Sequence, residues 1–428
     1  MPAPNSFDVS DFLAREQLRV LTNKLIISES FNTSFSKLFT GPMAMGDTVR
    51  VPYPRQFVPG QQNNLGYEPQ PMIDRATTVT IDQLSKVHFE YDVIEQALRM
   101  NDYEGALRED IIVPATNTMA QDIEDRCALY AKNHTPNIVG ILGTNPATFD
   151  ASFGASYERF VNLGAQMGPR RAIISTGVQR AMTAAELALF QPADEISRAF
   201  KEGSVGRAQT FDTYASPSLF THTAGTWAGA VTLSATPAVP ADLGTGITSL
   251  ALTCTTGDTF KTGDKINIAA SNEVNIMTRR AGGTTKLREF TILNPGNATV
   301  TGVANAATIT VSPPIYGPGS PYQNVDVLPI SGAALTLFPG TSSPNGKSGK
   351  ISLMLGKDAF ALVGVKMKIP PSGGDIKTAQ RRDPKTGLAV AYVQQFDAKE
   401  MKYITRFDCA FGFGDLWNYV EAVALLGA

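Results

Sequence analysis

The side chains that could do chemistry are few and poorly spaced for it. His88, His134 and His222 stand far apart, with no HExxH or paired-ligand spacing, so a zinc site lacks its ordinary ligands. The nearest approach to a phosphate-cradling loop runs from Gly340 to Ser348. It has five residues between its glycines where the motif has four, and Pro344 removes one of the N–H groups a phosphate would need. That stretch reads as a linker. No GxSxG elbow occurs, and Ser, His and Asp residues paired without geometry do not make a triad. Arg279-Arg280 and Arg381-Arg382 are short basic pairs that could meet phosphate or a neighbour's acids, and solvated turns account for them equally well. Cys127, Cys254 and Cys409 are odd in number and widely separated. They offer neither a disulfide framework nor a metal knuckle, and read as core thiols in a reducing compartment. The expectation is a chain without catalytic residues, cofactor or metal.

Composition narrows the function classes further. With 428 residues and 43% hydrophobic content the chain can bury several cores and should divide into two or three domains. A net charge of −2 and a pI near 6.0 argue against a protein that works by neutralising many phosphates. No basic segment followed by an apolar run opens the sequence. No apolar run approaches the roughly 20 residues needed to span a bilayer, so no membrane contact is expected.

The elements that must position everything else fall into a recognisable order. Leu18, Leu21 and Leu25 share one face of an amphipathic N-terminal arm that Asp8 or Ser10 can cap. Strand-like runs at 46–54 and 76–84 flank a polar tip at 56–71, rich in Gly, Pro, Gln and Asn, which predicts a long hairpin reaching outward. Ile112, Ala115, Met119, Ile123, Cys127 and Tyr130 make the longest helical pattern, over 103–133; Pro114 requires the main helix to start or bend there. Helices at 156–168, 179–190 and 193–202 around a buried strand at 170–176 give a mixed α/β unit. A strand at 350–356, a short helix at 357–363, and two long strands ending in 417–425 close the chain.

Between about 223 and 345 the pattern changes to short alternating runs at 229–234, 249–254, 265–269, 288–293 and 307–312. Val231 with Leu233, Leu250 with Leu252 and Cys254, Ile266 with Ile268, Phe290 with Ile292, and Ile309 with Val311 would line one interior. Turn residues at 261–264 and 294–297 separate the runs, and a small antiparallel barrel or sandwich is the simplest architecture. A carbohydrate-binding module would need convergent aromatics and carboxylates. This module has one tryptophan, Trp227, and few acids.

In this order the elements resemble the coat proteins of the Salmonella short-tailed, P-twenty-two type phages. The segment 203–219 leading into the insertion and the turn within 260–268 carry that resemblance most closely. It implies an α+β Hong Kong 97 capsid fold with an inserted antiparallel β-barrel. The implied divisions are an N-terminal arm at 1–45, an extended hairpin loop at 46–82, and a peripheral part with the spine helix at 83–133. An axial part at 134–222, the barrel at 223–345, the rest of the axial part at 346–370 and peripheral strands at 371–428 complete the chain. It further implies a non-enzymatic major capsid protein that assembles with itself into hexamers and pentamers of an icosahedral shell. Scaffolding and portal proteins would be partners, double-stranded DNA would be enclosed by weak nonspecific contact, and assembly would occur in the bacterial cytoplasm.

Subunit contacts are expected from the hairpin tip (Phe57, Gln61, Asn63, Asn64, Tyr67), with the arm at 6–31 crossing to another copy. Asp8 and Asp11 on that arm are placed to meet a basic scaffolding protein, and Arg381 and Arg382 to meet a neighbour. In the family resembled, a loop of the insertion makes charged contacts across two-fold axes, whereas 236–246 here carries only Asp242. Lys-to-Asn crosslinking, known in other relatives with the fold, is not expected although Asn63 and Asn64 lie on the right kind of loop. A non-viral shell of the same fold is the alternative, and it would hold protein cargo and lack so large a β insertion.

Overall fold

A computed structural model describes residues 9–22, 24–35, 45–52, 57, 76–92, 113–165, 168–186, 207–240, 242, 244–280, 286–338, 346–369, 371, 373, 376–383 and 386–428. The chain forms two compact units, the first from Met1–Val51, Thr77–Cys127 and Phe360–Gly414, the second from Pro52–Ala76, Ala128–Ala359 and Asp415–Ala428.

The first unit is built on an antiparallel sheet ordered Phe360–Val365, Lys402–Asp415, Ala389–Asp397, Ile376–Arg382, with Gln83–Asp92 also paired to the long strand Lys402–Asp415. Register places Phe407 opposite both Tyr392 and Val87. Phe407, Tyr392, Cys409, Met119, Ile123 and Cys127 are all buried, which accounts for the period-4 apolar stripe of the spine helix Val113–His134. The described part of that helix runs from Val113, so Pro114 stands in its first described turn, and the stretch before it lies outside the described residues.

The arm helix Val9–Thr22 packs on strands Ile376–Arg382 and Ala389–Asp397 of the same unit. Ala14, Leu21, Leu25, Ile27 and Phe31 are buried there. Glu124 of the spine helix anchors the arm: its carboxylate accepts from the N–H of Ile27 at 2.7 Å and from the N–H and Oγ of Ser28 at 3.0 and 2.8 Å. Burial raises the Glu124 pKa, and those hydrogen bonds oppose the rise. The sequence reading sends the arm at 6–31 to another copy; within the single chain its buried apolar residues pack on their own unit.

Strands Thr48–Pro52 and Ala76–Thr80 pair as the base of the expected hairpin. Val51, Val79 and Ile81 are buried. Two glycines make their seat. A Cβ on Gly412 would stand 2.3 Å from the Thr80 carbonyl oxygen, and one on Gly414 2.5 Å from Val79 Cγ2, so only glycine lets the hairpin base lie on this strand.

In the second unit a mixed sheet runs Asn137–Gly140, Ala422–Leu426, Ser348–Gly356, Arg170–Ile174, Phe211–Ala215, Arg207–Ala208. Helices Ala155–Leu163 and Thr176–Glu186 cover it through Phe153, Phe160, Val178, Met182, Phe211, Met354 and Leu425. Gly164, left-handed at φ 82°, ends the first helix several residues before the expected 168. The insertion leaves this sheet through Thr221–Thr223 and re-enters it at Ser348–Gly356. The two are antiparallel neighbours, Thr223 opposite Ser348. Entry and exit are therefore adjacent.

The insertion is a closed barrel of six strands in the order Ile247–Thr253, Ala306–Ile315, Leu287–Ile292, Lys265–Asn272, Ala334–Leu337, Val231–Leu233. All five runs read from the sequence are present, and every residue assigned to the interior is buried. Ile266 stands opposite Phe290 on one side and Leu337 on the other, Leu252 opposite Leu233 and Ala307. The sixth strand, Ala334–Leu337, is not among the runs read from the sequence: a four-residue run with two buried leucines is too short to announce itself.

Two terminal expectations are corrected. Residues 357–363 do not form a helix; after a turn, strand Phe360–Val365 begins, buried at every position. A short run that is apolar on all sides carries no period to separate strand from helix. Likewise 417–425 is not simply strand, since helix Asn418–Glu421 precedes strand Ala422–Leu426. The helical stretches expected at 103–112, 187–190 and 193–202 fall outside the described residues.

Gly412→Ala should lower unfolding stability by about 1–3 kcal/mol, the cost of forcing a side chain into a filled contact. Gly373→Ala, where the added carbon meets nothing, should change it by less than about 0.5 kcal/mol. Urea denaturation of the two variants beside the parent checks this.

Candidate functional site: a buried charge seam beneath the barrel

One wall of the barrel carries charges turned away from its apolar interior and buried against the rest of the second unit. Arg159, on helix Ala155–Leu163, is 1% exposed. Its guanidinium donates to Glu289 at 2.9 Å and to Glu273 in a close ion pair. Glu289 also accepts from the N–H of Ile138 at 2.8 Å, so one carboxylate ties the barrel to both a helix and a sheet edge. Arg288 donates to the Tyr419 carbonyl at 2.8 Å. Two guanidinium groups thus face two carboxylates. Burial works against the Arg159 charge, yet Glu289 and Glu273 outweigh it and leave its pKa raised; burial pushes Arg288 down to about 10.

Beside this group the spine helix ends, and a helix end leaves its last four carbonyls without intrahelical donors. Each of the four finds a side chain. Thr135 Oγ1 donates to Ala131 at 2.7 Å, Lys265 Nζ to Lys132 at 3.0 Å, Thr291 Oγ1 to Asn133 at 2.9 Å, and Asn418 Nδ2 to His134 at 2.8 Å. Two of those four donors, Lys265 and Thr291, come from the barrel. Lys265 also donates to the Thr135 carbonyl and to Thr291 Oγ1, and burial together with nearby Lys132 lowers its pKa to about 7. Next along the strand, Asp264 accepts from the ring of His222 at 2.9 Å and from the N–H groups of Gly225 and Lys261. Burial lowers the pKa of His222, although Asp264 pulls the other way.

No group of three His, Cys, Asp or Glu among the described residues could hold a metal ion. The three thiols are buried and free, and burial pushes Cys409 up to about 12. His134 and Tyr130 stack at 3.9 Å and both bind Asp415, at 2.7 and 2.8 Å. This makes the second histidine a structural link, as His222 is.

Of the contact residues read from the sequence, Phe57, Asp242, Arg381 and Arg382 are described with their side chains. Phe57 is exposed. Asp8, Gln61, Asn63, Asn64 and Tyr67 lie outside the described residues, as does the side chain of Asp11. Asp242 is exposed and turns onto its own loop, accepting from the N–H of Gly244 at 2.9 Å. Arg382 is held inside its own unit by the carbonyls of Gly387 at 3.0 Å and Gly364 at 3.3 Å, and Arg381 stands beside it on strand Ile376–Arg382.

The family model for P22 coat protein, gene protein 5, matches residues 55–417. The chain belongs to that family. It is a major capsid protein, the unit from which a phage shell is built. Among solved structures it is similar to a chain of Mycobacterium phage Che8, at 10% identity and TM-score 0.45 over 94% of this chain and 92% of that one. A capsid chain of Cyanophage P-SCSP1u aligns at 11% identity and TM-score 0.41, covering 94% and 88%. One from the capsid of Ralstonia phage GP4 aligns at 8% and 0.41, covering 99% and 92%. No curated protein matches the chain.

For a coat protein the seam is a docking device. The sequence reading passed over it because Arg288, Glu289 and Lys265 sit inside runs read only for their apolar partners. A charge at an alternating position of a module that must dock was the available signal.

Removing one partner of a buried ion pair strands the other, at about 3–5 kcal/mol. Arg159→Met in the coat protein should therefore destabilise the second unit by that amount, read by urea denaturation, whereas an exposed charge change such as Lys377→Met should shift it by less than about 0.5 kcal/mol. A second expectation concerns pH. With Lys265 near 7 when folded and 10.5 when free, the unfolded chain binds a proton between those values that the folded chain has released. Stability should rise with pH from 7 toward 10.5 and fall as pH drops back. In Lys265→Met the slope over this window should shrink.

Proposed function

We propose that this coat protein assembles with itself into hexamers and pentamers of an icosahedral shell around double-stranded DNA, in the cytoplasm of its host, with scaffolding and portal proteins as partners. The observation that carries this reading is the family match across residues 55–417. The inserted closed barrel agrees with the insertion expected of the family. The division into arm, hairpin loop, peripheral, axial and inserted parts follows from the same reading, and so does an absence of catalysis. The balance of charge fits too. A chain at net −2 has little to hold DNA tightly, which suits a container whose cargo must pass in and out.

Physically the reading requires several different contact surfaces on one subunit. Weak contacts that dissociate singly allow errors to correct, while their sum holds the shell by effective concentration. The hairpin tip with Phe57, Gln61, Asn63, Asn64 and Tyr67 is assigned to such a contact, and the arm with Asp8 and Asp11 to scaffolding.

Electron microscopy of the purified chain, alone and co-expressed with a scaffolding protein of the same family of phages, tests the assignment. Closed particles of uniform size are expected in the co-expressed sample. Monomers alone in both samples would sink it.

A further inference from the structure

The neck through which the insertion leaves its sheet carries one side chain that titrates near neutrality. His222 is the middle residue of strand Thr221–Thr223, and an imidazole ordinarily changes charge between pH 5 and 8. It is 7% exposed. Its Nε2 meets the Asp264 carboxylate at 2.9 Å, and that carboxylate also accepts from the N–H of Gly225 at 3.2 Å and from the N–H of Lys261 at 2.8 Å. One carboxylate in the barrel turn at 261–264 thus holds the neck at two residues, 222 and 225.

An acceptor at Nε2 puts the proton of a neutral ring on that nitrogen and leaves Nδ1 bare. The bare edge stands near the end of the spine helix. A Cβ built on Gly263 would lie 3.4 Å from His222 Nδ1, 3.2 Å from its Cε1 and 3.0 Å from Asn133 Oδ1, so the ring edge and the amide crowd the same glycine. Asn133 is 6% exposed and its Oδ1 has no donor. A proton arriving on Nδ1 therefore finds an acceptor, and the charged ring as well as the neutral one has a place in the fold.

The surroundings decide which state is held at neutral pH. Burial acts against a positive ring and Asp264 acts for it. Lys132, at the end of the spine helix, and Lys265, next to Asp264, add to the effect of burial, and the balance lowers the His222 pKa. Asp264 already faces both ammonium groups, with Glu289 as the further carboxylate near Lys265. An imidazolium would be the third cation around it. On the paired strand Gly349 stands opposite His222, while Lys350, opposite Thr221, points to the other face. Lys347, just before that strand, is exposed.

We propose that His222 is a proton-operated catch on the neck of the insertion: as a neutral ring it ties the neck to the barrel through Asp264, and on taking a proton it turns toward Asn133, crowds a third cation against Lys132 and Lys265, and loosens the neck. The sign follows from linkage. With its pKa lowered in the folded chain, His222 binds a proton in the unfolded chain at a pH where the folded chain has none, so stability falls as pH drops below about 6.5. Glu124 and Glu421, whose pKa burial raises, work in the opposite sense, so the effect is read as a difference between the parent and a variant.

His222→Gln keeps an amide N–H to offer Asp264 and cannot take the proton. Hydrogen exchange of the full chain at pH 7 and pH 5, followed by mass spectrometry and corrected for the intrinsic rate, reads the neck directly. In the parent, protection of the amides at 221–225 and 348–350 should drop by about fivefold or more at the lower pH, ahead of the sheet strands Asn137–Gly140 and Arg170–Ile174. In His222→Gln it should change by less than about twofold. The urea midpoint of the parent should fall relative to that of the variant over the same interval. Lys132→Gln, which removes an opposing charge and leaves the histidine, should shrink the parent's drop, and it decides the matter if His222→Gln does not fold. An equal loss of protection in parent and His222→Gln, or a loss that Lys132→Gln leaves unchanged, overturns the inference. The measurement needs only the folded subunit, so the shell reading stands or falls separately.

Discussion

Arg159 cannot be buried alone. A guanidinium withdrawn from water needs carboxylates within reach, and in this chain both carboxylates, Glu273 and Glu289, lie more than a hundred residues downstream, in the inserted module. The rest of the second unit follows from satisfying that demand. The barrel must dock with strands Lys265–Asn272 and Leu287–Ile292 facing the sheet and the helices. Only in that register do Glu289 reach Ile138, Arg288 reach Tyr419, and Lys265 and Thr291 reach the end of the spine helix. Apolar surfaces slide at small cost. Paired charges do not, and the Nε atoms of Arg159 and Arg288, left without acceptors, indicate an arrangement that fixes one geometry more than it maximises stability.

Much of the architecture was legible in the sequence because it was written in period. Alternation named the barrel interior from Val231 to Val311, and three-and-four spacing named the spine helix; both signals come from which side of an element faces apolar neighbours. What stayed hidden lacked period or required distant partners. Phe360–Val365 is buried on both faces and so has no pattern, and Ala334–Leu337 is too short to show one. The seam was illegible for a different reason. Arg288-Glu289 inside a strand run looks like an ordinary solvated edge until the sheet that covers it is known, since nothing local distinguishes a charge facing water from one facing a partner 130 residues away.

The candidate contact residues divide along the same line. Those chosen for sitting in a polar, Gly- and Pro-rich tip were chosen by composition, which says that a segment does not pack on itself and no more. Arg382 was chosen as one of a basic pair, and two of its five N–H groups are bound to carbonyls of its own unit, which orients its guanidinium.

The way the insertion is attached governs how it sits on the unit. Thr221–Thr223 and Ser348–Gly356 leave and re-enter the sheet as neighbours, with the Ala224 N–H on the Lys347 carbonyl at 2.9 Å, so the module hangs from a two-stranded neck. A neck alone fixes where a module begins and leaves it free to rotate. The buried charges beneath the barrel remove that rotation by requiring one register. Neck and seam together hold the opposite surfaces of the barrel at fixed positions on the unit, so the module loses its rotational freedom when the chain folds.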